Sequence, residues 1–132
     1  MKLANLSKYK LYNNMAQYEV AKDYADPIYG YLVHGFEPGS FFTSVLANDF
    51  SNAISHSHPS NTIPALKNLV IWMGNELPKD VTHGSYEIVA KWLEKSSEER
   101  RVVLERYRLI YTEHDEVIRI LKGEVAVEPV FW

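Results

Sequence analysis

The chain has 132 residues, a length typical of one domain, and its 46% hydrophobic and 23% charged residues indicate a folded rather than a disordered protein. The formal net charge of −3 argues against a non-specific nucleic-acid binder, and the lack of cysteine excludes disulfides, thiolate metal sites and cysteine nucleophiles. No apolar run approaches the roughly 20 residues of a membrane span, and the first ten residues are too polar for a secretory signal. We therefore expect a soluble, cytoplasmic protein.

The first 25 residues are predicted to form an N-terminal arm. We expect extended chain at first and a helix from about Asn14 to Ala25. Asp26 and Pro27 then favour a new helix, with Asp26 as the N-cap and Pro27 at the first helical position. This short helix should end just before Gly35, which can adopt the left-handed conformation at a helix C-terminus.

The clearest amphipathic pattern covers residues 41–54, after a Phe-Glu-Pro-Gly turn and a capping Ser40. At 100° per residue the apolar positions share one face. These positions are Phe41, Phe42, Val45, Leu46, Phe50 and Ala53. Asp49 falls in the middle of that face, where burial would require a partner or a proton. It is either a general acid or base with a raised pKa, or a structural acceptor that caps a neighbouring helix or holds a histidine.

A third helix is predicted over Ile63–Leu77. Asn61 or Ser60 can cap it, and Pro64 is tolerated in its first turn. The run Leu69–Met73 is apolar nearly all round, which favours a central helix but also fits a buried strand.

Two more helices are predicted in the second half of the chain. Ser85 can cap the first, whose core face consists of Ile88, Val89, Trp92 and Leu93. Ser96 and Glu99 form a capping box at the start of the second. This last helix should cover residues 96–122 and be closed by Gly123, and the residues that follow should form a short extended tail.

These elements together predict an all-α fold, a compact bundle of about five helices with an N-terminal arm and a short extended C-terminal tail. The whole chain should form a single helical domain with its core in residues 26–95. The helices predicted for residues 41–54 and 63–77 should form the centre of that core.

A histidine-rich loop is a candidate metal site. His56 and His58 are two residues apart, and neutral imidazole binds zinc, copper or iron. With His83, and with Asp49 or Asp80, they could serve a small metal-dependent hydrolase. Metal motifs need three or four ligands at restrictive spacing, so a plain polar loop is the alternative. We assign no metal and no cofactor.

The predicted last helix carries a long apolar stripe with 4-3-4-3-4 spacing, close to a coiled-coil pattern. The stripe consists of Val103, Tyr107, Ile110, His114, Val117 and Leu121. It either packs within its own domain or forms a homodimer or partner seam, to which Phe131 and Trp132 at the C-terminus could add aromatic surface.

The same helix contains four arginines interleaved with glutamates. They are Arg100, Arg101, Arg106 and Arg108. Because the glutamates cancel most of the positive field, a solvated helix face is favoured over a phosphate-binding site.

The segment Pro27–Leu93 resembles a family of small proteins encoded mainly by bacteriophages and prophages. The pattern H-G-x-x-P-G-x-F-x-x-x-V-L-x-N-D matches His34–Asp49, and further matches are Asn61, Pro78, His83-Gly84-Ser85 and Trp92. Ser57 and His58 stand where the family has Ala-Asp. The function of the family is unknown, so the resemblance implies a phage accessory gene expressed in the cytoplasm of an infected bacterium and assigns no catalytic residues.

These features lead us to expect a non-enzymatic phage accessory protein that binds a host or phage protein, for example as an inhibitor of a defence or metabolic factor. The first alternative is the metal-dependent hydrolase. The second is a nucleotide- or nucleic-acid-binding protein that uses the arginines of the last helix, or sequesters a small nucleotide signal.

Overall fold

The structure is a computed structural model that describes residues 3–58 and 61–112. These residues form seven α-helices and no β-strand, so the predicted all-α class is confirmed with more helices than the five expected. The helices are α1 (Leu3–Gln17), α2 (Ala25–Tyr29), α3 (Ser40–Leu46), α4 (Phe50–His56), α5 (Ile63–Glu76), α6 (Tyr86–Glu94) and α7 (Ser97–Arg106). A 3₁₀ turn, Lys22–Tyr24, precedes α2, and one π-helical turn, Gly30–His34, extends it. Among the described helices, none combines the length and apolar character needed to cross a membrane.

The expected extended arm is wrong, because α1 begins at Leu3 and ends at Gln17. Its packing explains the difference: Leu11 and Met15, one helical turn apart, are fully buried. The chain leaves the helix at Glu19, whose φ of 57° is left-handed. The helix predicted to continue to residue 25 therefore ends early.

The start of α2 also differs from the prediction, whereas the predicted end before Gly35 is the end of the π turn that extends α2. Tyr24 is the N-cap, and Asp26 lies in the first turn, where its carboxylate accepts a hydrogen bond from the Tyr12 hydroxyl. Gly35 ends the π turn with φ 67°, which confirms the predicted left-handed C-terminal residue.

The single helix predicted for residues 41–54 is wrong, since α3 and α4 are separate helices. Asn48 adopts φ 63° between them, and Asp49 caps α4 by accepting a hydrogen bond from the backbone N–H of Asn52 at 3.3 Å. Asparagine tolerates the left-handed conformation and aspartate is a favoured N-cap, so these two residues end one helix and start the next.

Three other helix starts test the predicted caps. Ser85 caps α6 as expected, with its Oγ 3.2 Å from the backbone nitrogen of Ile88. Thr62 caps α5 in place of the two residues before it. Gly39 occupies the N-cap of α3, so Ser40 is the first helical residue instead of the cap.

The run Leu69–Met73, which the sequence left open as helix or buried strand, is helical and belongs to α5. Leu69 and Trp72 are fully buried, whereas Ile71 on the opposite side is 42% exposed. The indole nitrogen of Trp72 donates a hydrogen bond to Asn14 Oδ1 at 2.7 Å and so connects α5 to α1.

α7 begins as predicted and ends much earlier. The Ser96–Glu99 capping box is present, but the helix stops at Arg106 instead of residue 122. Arg108 adopts φ 58°, and Leu109 and Ile110 are buried as the chain folds back. The backbone nitrogen of Tyr111 then donates to Ser7 Oγ of α1 at 3.1 Å, which fixes this segment against the first helix.

The core is centred on three aromatic side chains with no exposed surface: Tyr31, Trp72 and Trp92. Trp92 donates its indole N–H to the carbonyl of Tyr31 at 3.0 Å, and the Tyr31 hydroxyl donates to the carbonyl of Thr82 at 2.7 Å. Burial raises the pKa of the Tyr31 hydroxyl. The helices predicted for residues 41–54 and 63–77 both contribute to this core, and α5 supplies Trp72. The other two large aromatic side chains, Tyr31 and Trp92, come from the π turn and α6.

A buried arginine joins α6, α7 and the π turn. Arg100 is 4% exposed, its Nε donates to the carbonyl of Val33 at 3.3 Å, and its Nη1 donates to the carbonyl of Lys95. A Cβ on Gly35 would lie 2.6 Å from Nη1. We call Gly35, Arg100 and these two carbonyls the arginine joint.

The predicted solvated arginine face is therefore wrong for Arg100, but it describes its neighbour. Arg101 is largely exposed and pairs with Glu98 and Glu105, each at 2.6 Å. The hydrogen bond that Arg101 donates to Glu98, with smaller contributions from Glu105, raises the pKa of Arg101.

Candidate functional site

The candidate site lies where α3, α4 and α6 meet and contains Asp49. The Tyr86 hydroxyl, from α6, donates a hydrogen bond to Asp49 Oδ2 at 2.7 Å. The side-chain amide nitrogen of Asn52, Nδ2, donates to the same oxygen at 2.7 Å. Asp49 thereby fixes α4 to α6 while it caps α4.

These hydrogen bonds determine the charge state of Asp49. The Tyr86 hydroxyl, followed by the backbone N–H of Asn52, holds the pKa of the Asp49 carboxyl below its usual value. The position predicted for Asp49, in the middle of one apolar helix face, is therefore wrong, as is the alternative of a general acid or base with a raised pKa. At neutral pH the carboxylate is ionised and acts as a hydrogen-bond acceptor that caps a neighbouring helix.

A polar cleft of about 360 Å³ opens beside this network. We call it the α4 cleft. Its lining consists of Glu37, Gly39, Ser40, Thr43, Ser44, Asn52, His56 and Tyr86. Ser44 is buried, and its hydroxyl lies 3.4 Å from that of Tyr86, whose side chain is 48% exposed. The cleft therefore offers hydroxyl and amide groups beside an accessible aromatic ring.

The geometry of the α4 cleft suits hydrogen bonding better than proton transfer. A serine nucleophile needs a base within hydrogen-bond reach, and the recorded partner of the Ser44 hydroxyl is a tyrosine hydroxyl. Asp49 already accepts hydrogen bonds at both carboxylate oxygens. These groups can recognise a ligand by hydrogen bonding.

α4 itself is exposed over most of its surface. Ala53 is its one buried side chain, whereas Phe50 is 38% and Ile54 is 53% exposed. Residues four apart share a helix flank, so Phe50 and Ile54 form an apolar flank and Asn52 and His56 form the flank that lines the cleft. We call the exposed surface of α4, with the Phe50–Ile54 flank on one side and the α4 cleft on the opposite side, the α4 surface.

The other candidate metal ligands lie elsewhere in the chain. His83 belongs to the turn between α5 and α6, where its Nδ1 lies 3.1 Å from Thr82 Oγ1 and its carbonyl accepts from the backbone nitrogen of Asp80 at 2.8 Å. Burial lowers the pKa of His83. Across residues 3–58 and 61–112, no three histidine, aspartate or glutamate side chains are close enough together to hold a metal ion.

In the structure the histidines therefore do not form the set that a hydrolase would need. His56 lines the α4 cleft, and His58 lies in the exposed chain that follows α4. The third histidine, His83, is 25 positions beyond His58 in the sequence and is already hydrogen-bonded in its own turn.

The predicted seam does not form one helical stripe. Val103 is partly buried on α7, but Tyr107 and Ile110 follow the end of the helix, the first 48% exposed and the second buried. The remaining seam residues lie outside the described residues, namely His114, Val117, Leu121, Phe131 and Trp132. The coiled-coil spacing is therefore not a surface of α7.

Sequence reasoning missed the role of Tyr86 in the candidate site and the burial of Arg100 at the arginine joint. Tyr86 follows the cap of α6 and has no distinctive local pattern, and Arg100 lies within an ordinary run of charges. The break at Asn48-Asp49 did carry a signal, because these residue types end and start helices.

No protein-family description, curated protein or solved structure matches this chain. The resemblance to a phage-encoded family therefore stays a prediction. A function has to be argued from the surfaces and polar groups of the chain itself.

Proposed function

We propose that this chain is a non-enzymatic phage accessory protein that binds a host or phage protein through the α4 surface. The observation that carries the proposal is the exposed apolar flank of α4, formed by Phe50 and Ile54 on a helix whose one buried side chain is Ala53. Exposed aromatic and aliphatic side chains grouped on one element are typical of protein-interaction sites.

The polar network beside that flank supports the same proposal. Asp49, Asn52 and Tyr86 hold α4 in one orientation before any partner arrives. A rigid binding element loses less conformational entropy on association, which favours affinity. The hydroxyl and amide groups of the cleft lie on the opposite flank of α4, where they offer directional contacts to a partner that wraps around the exposed helix.

Binding is also the better proposal than hydrolysis on chemical grounds. The Asp49 pKa is lowered, so the carboxylate is a poor proton donor at neutral pH. The described residues also lack a metal-ligand cluster. Inhibition of a host defence or metabolic factor is the form of binding that the phage resemblance suggests.

The test compares two surface isoleucines. Ile54 of α4 and Ile71 of α5 are both exposed, at 53% and 42%, so Ile54→Ser and Ile71→Ser make a matched pair. Each variant and the wild type are immobilised and exposed to lysate of infected and uninfected host cells, and captured proteins are quantified by mass spectrometry. Each captured candidate is then purified and its affinity for the three chains is measured by calorimetry.

We expect one protein to bind the wild type and Ile71→Ser equally and to bind Ile54→Ser at least about tenfold more weakly, since burying an aliphatic anchor is worth about 1.5–3 kcal/mol. Equal binding of both variants would contradict the role of α4. If light scattering shows that wild type and Ile71→Ser self-associate and Ile54→Ser does not, the α4 surface is a homo-oligomer contact and the proposal of a heterologous partner is overturned.

A further inference from the structure

A second cavity is lined by residues of α1, the end of α5 and the chain that follows α7. Its volume is about 390 Å³. We call it the amide pocket. Its lining residues are Lys10, Asn13, Asn14, Gln17, Glu76, Tyr107, Arg108, Leu109 and Tyr111. None of them belongs to α3, α4 or α6, so the amide pocket is independent of the α4 surface.

The amide pocket contains a buried hydrogen-bond acceptor without a partner. Asn13 Oδ1 is shielded from solvent and accepts no hydrogen bond from residues 3–58 or 61–112, in contrast to Asn14, which accepts from Trp72 and donates to Glu76. A buried acceptor left unpaired costs free energy, so each case needs an explanation. The torsion that orients an asparagine amide is broad, and a small rotation would present Oδ1 to an N–H group in the pocket.

Positive charge lies on the same wall. Arg108 is exposed, and within the described ranges no carboxylate pairs with it. Lys10 adds a second cation, with its ammonium 4.6 Å from the centre of the Tyr111 ring. Guanidinium groups bind phosphate oxygens in a bidentate manner, so an anionic group of this kind fits the rim of the pocket.

The amide pocket also contains an exposed aromatic ring. Tyr107 is 48% exposed beside Arg108, whereas one face of Tyr111 already carries Lys10. Planar nitrogen heterocycles stack on exposed tyrosine rings, and asparagine and glutamine amides pair with their donor and acceptor edges. Asn13 and Gln17 supply such amides.

We propose that the amide pocket binds a mononucleotide-sized ligand, a planar nitrogen heterocycle that carries a phosphate. The heterocycle stacks on Tyr107 and donates an N–H group to Asn13 Oδ1, and the phosphate binds Arg108 with Lys10 nearby. The ligand class follows from the three types of group in one cavity: an exposed ring, and an amide acceptor and an arginine for which the described part of the chain provides no hydrogen-bond donor and no carboxylate, respectively.

The test titrates the full chain with adenosine and guanosine 5′-monophosphate, the two nucleosides and inorganic phosphate, by calorimetry at low salt. We expect one nucleotide to bind with micromolar affinity, and its nucleoside to bind at least about tenfold more weakly because the charge-assisted contact is lost. Arg108→Ala and Tyr107→Ala should each lower the affinity by roughly tenfold. Arg106→Ala, a change at an exposed arginine outside the pocket, should alter it by less than about twofold.

Asn13→Leu separates a ligand contact from a structural role. Because it removes an unpaired buried acceptor, the free variant should unfold at the same temperature as the wild type or higher, while its nucleotide affinity falls. The proposal is overturned if no nucleotide binds at millimolar concentration, if phosphate alone binds as tightly as the nucleotide, or if Arg106→Ala weakens binding as much as Arg108→Ala. It is equally overturned if binding appears only with oligonucleotides and falls steeply with salt, which would indicate a nucleic-acid surface.

Discussion

The arginine joint and the α4 surface place charged groups in opposite environments. At the joint, Arg100 is almost fully buried and donates to the carbonyls of Val33 and Lys95. At the α4 surface, the Asp49 carboxylate lies at the protein surface and is held by side chains of Asn52 and Tyr86. The joint fixes the arrangement of α6 and α7 in the core, whereas the network at α4 orients a helix that buries very little.

The arginine joint stabilises the fold because both carbonyls that accept from Arg100 lie at the C-termini of helices. Val33 lies at the end of the π turn, and Lys95 is the C-cap of α6, so both carbonyls belong to helix C-termini. These carbonyls lack partners within their helices, and helix C-termini attract cations. A single guanidinium therefore stabilises two helix ends. Changes at the joint should lower stability, and changes at the α4 surface should lower binding.

The largest effect is expected for Gly35→Ala. The left-handed φ costs an alanine about 1–2 kcal/mol, and displacement of the Arg100 guanidinium by the new Cβ costs about 1.5–3 kcal/mol in lost hydrogen bonds, so the free energy of unfolding should fall by about 3 kcal/mol or more. Urea unfolding measures this.

A double-mutant cycle isolates the contact between the two residues. In an Arg100→Ala background, Gly35→Ala should cost only the backbone strain of about 1–2 kcal/mol, since no guanidinium remains to be displaced. Additive costs in the double variant would show that Gly35 and Arg100 do not act together.

Local capping rules predicted part of this region, and long-range contacts determined the rest. Gly35, the Ser85 cap and the Ser96–Glu99 capping box were correctly predicted, because each depends on residues within one helical turn. Arg100 was not, because its partner Val33 lies 67 positions away.

Hydrophobic spacing predicted helices that were too long at two places, at Asp49 and after Arg106. The apolar pattern continues through both positions, although the backbone turns at Asn48 and at Arg108 with positive φ. Asn48-Asp49 carried a recognisable stop and start signal. Arg108 carried none, because arginine has no preference for the left-handed region.

The next largest effect is a pH dependence of the free energy of unfolding that arises from His83. Burial lowers its pKa, so the native state disfavours the protonated form more than the unfolded chain does. Its stabilising contribution is complete above the unfolded pKa of about 6.5 and is lost as the pH falls below it. We expect the urea midpoint of the wild type to decline between pH 7 and pH 5, and this decline to be smaller in His83→Asn.

His56→Gln controls for the loss of a histidine at an exposed position of α4. Its urea midpoint should decline with falling pH as steeply as that of the wild type. If His83→Asn declines as steeply too, the environment of His83 is not the source of the pH dependence.

A smaller effect is expected from Tyr86→Phe, which removes the hydroxyl that donates to Asp49. The pKa of Asp49 should rise toward its usual value, because that hydrogen bond is the main cause of its lowering. A carboxyl-detected NMR titration measures it. Glu99 is the internal reference, since the backbone N–H of Ser96 lowers its pKa and Tyr86→Phe leaves that contact intact.

The smallest effect on stability is expected for Phe50→Ser with Ile54→Ser. Phe50 is 38% and Ile54 is 53% exposed, so each substitution removes only part of the burial of a core side chain, and the free energy of unfolding should fall by about 1 kcal/mol for each, less than for a fully buried residue. Thermal unfolding measures this. A loss as large as that of Gly35→Ala would show that α4 is part of the stabilising core, and the contrast between the two regions would fail.

Photo-crosslinking in infected cells tests the α4 surface most directly. A photoreactive amino acid is placed at Ile54 in one protein and at Ile71 in another, two exposed positions on different helices. The account predicts a covalent adduct with one specific protein, host or phage, from position 54 and none from position 71. Adducts of the same protein in equal yield from both positions, or none from position 54, would contradict it.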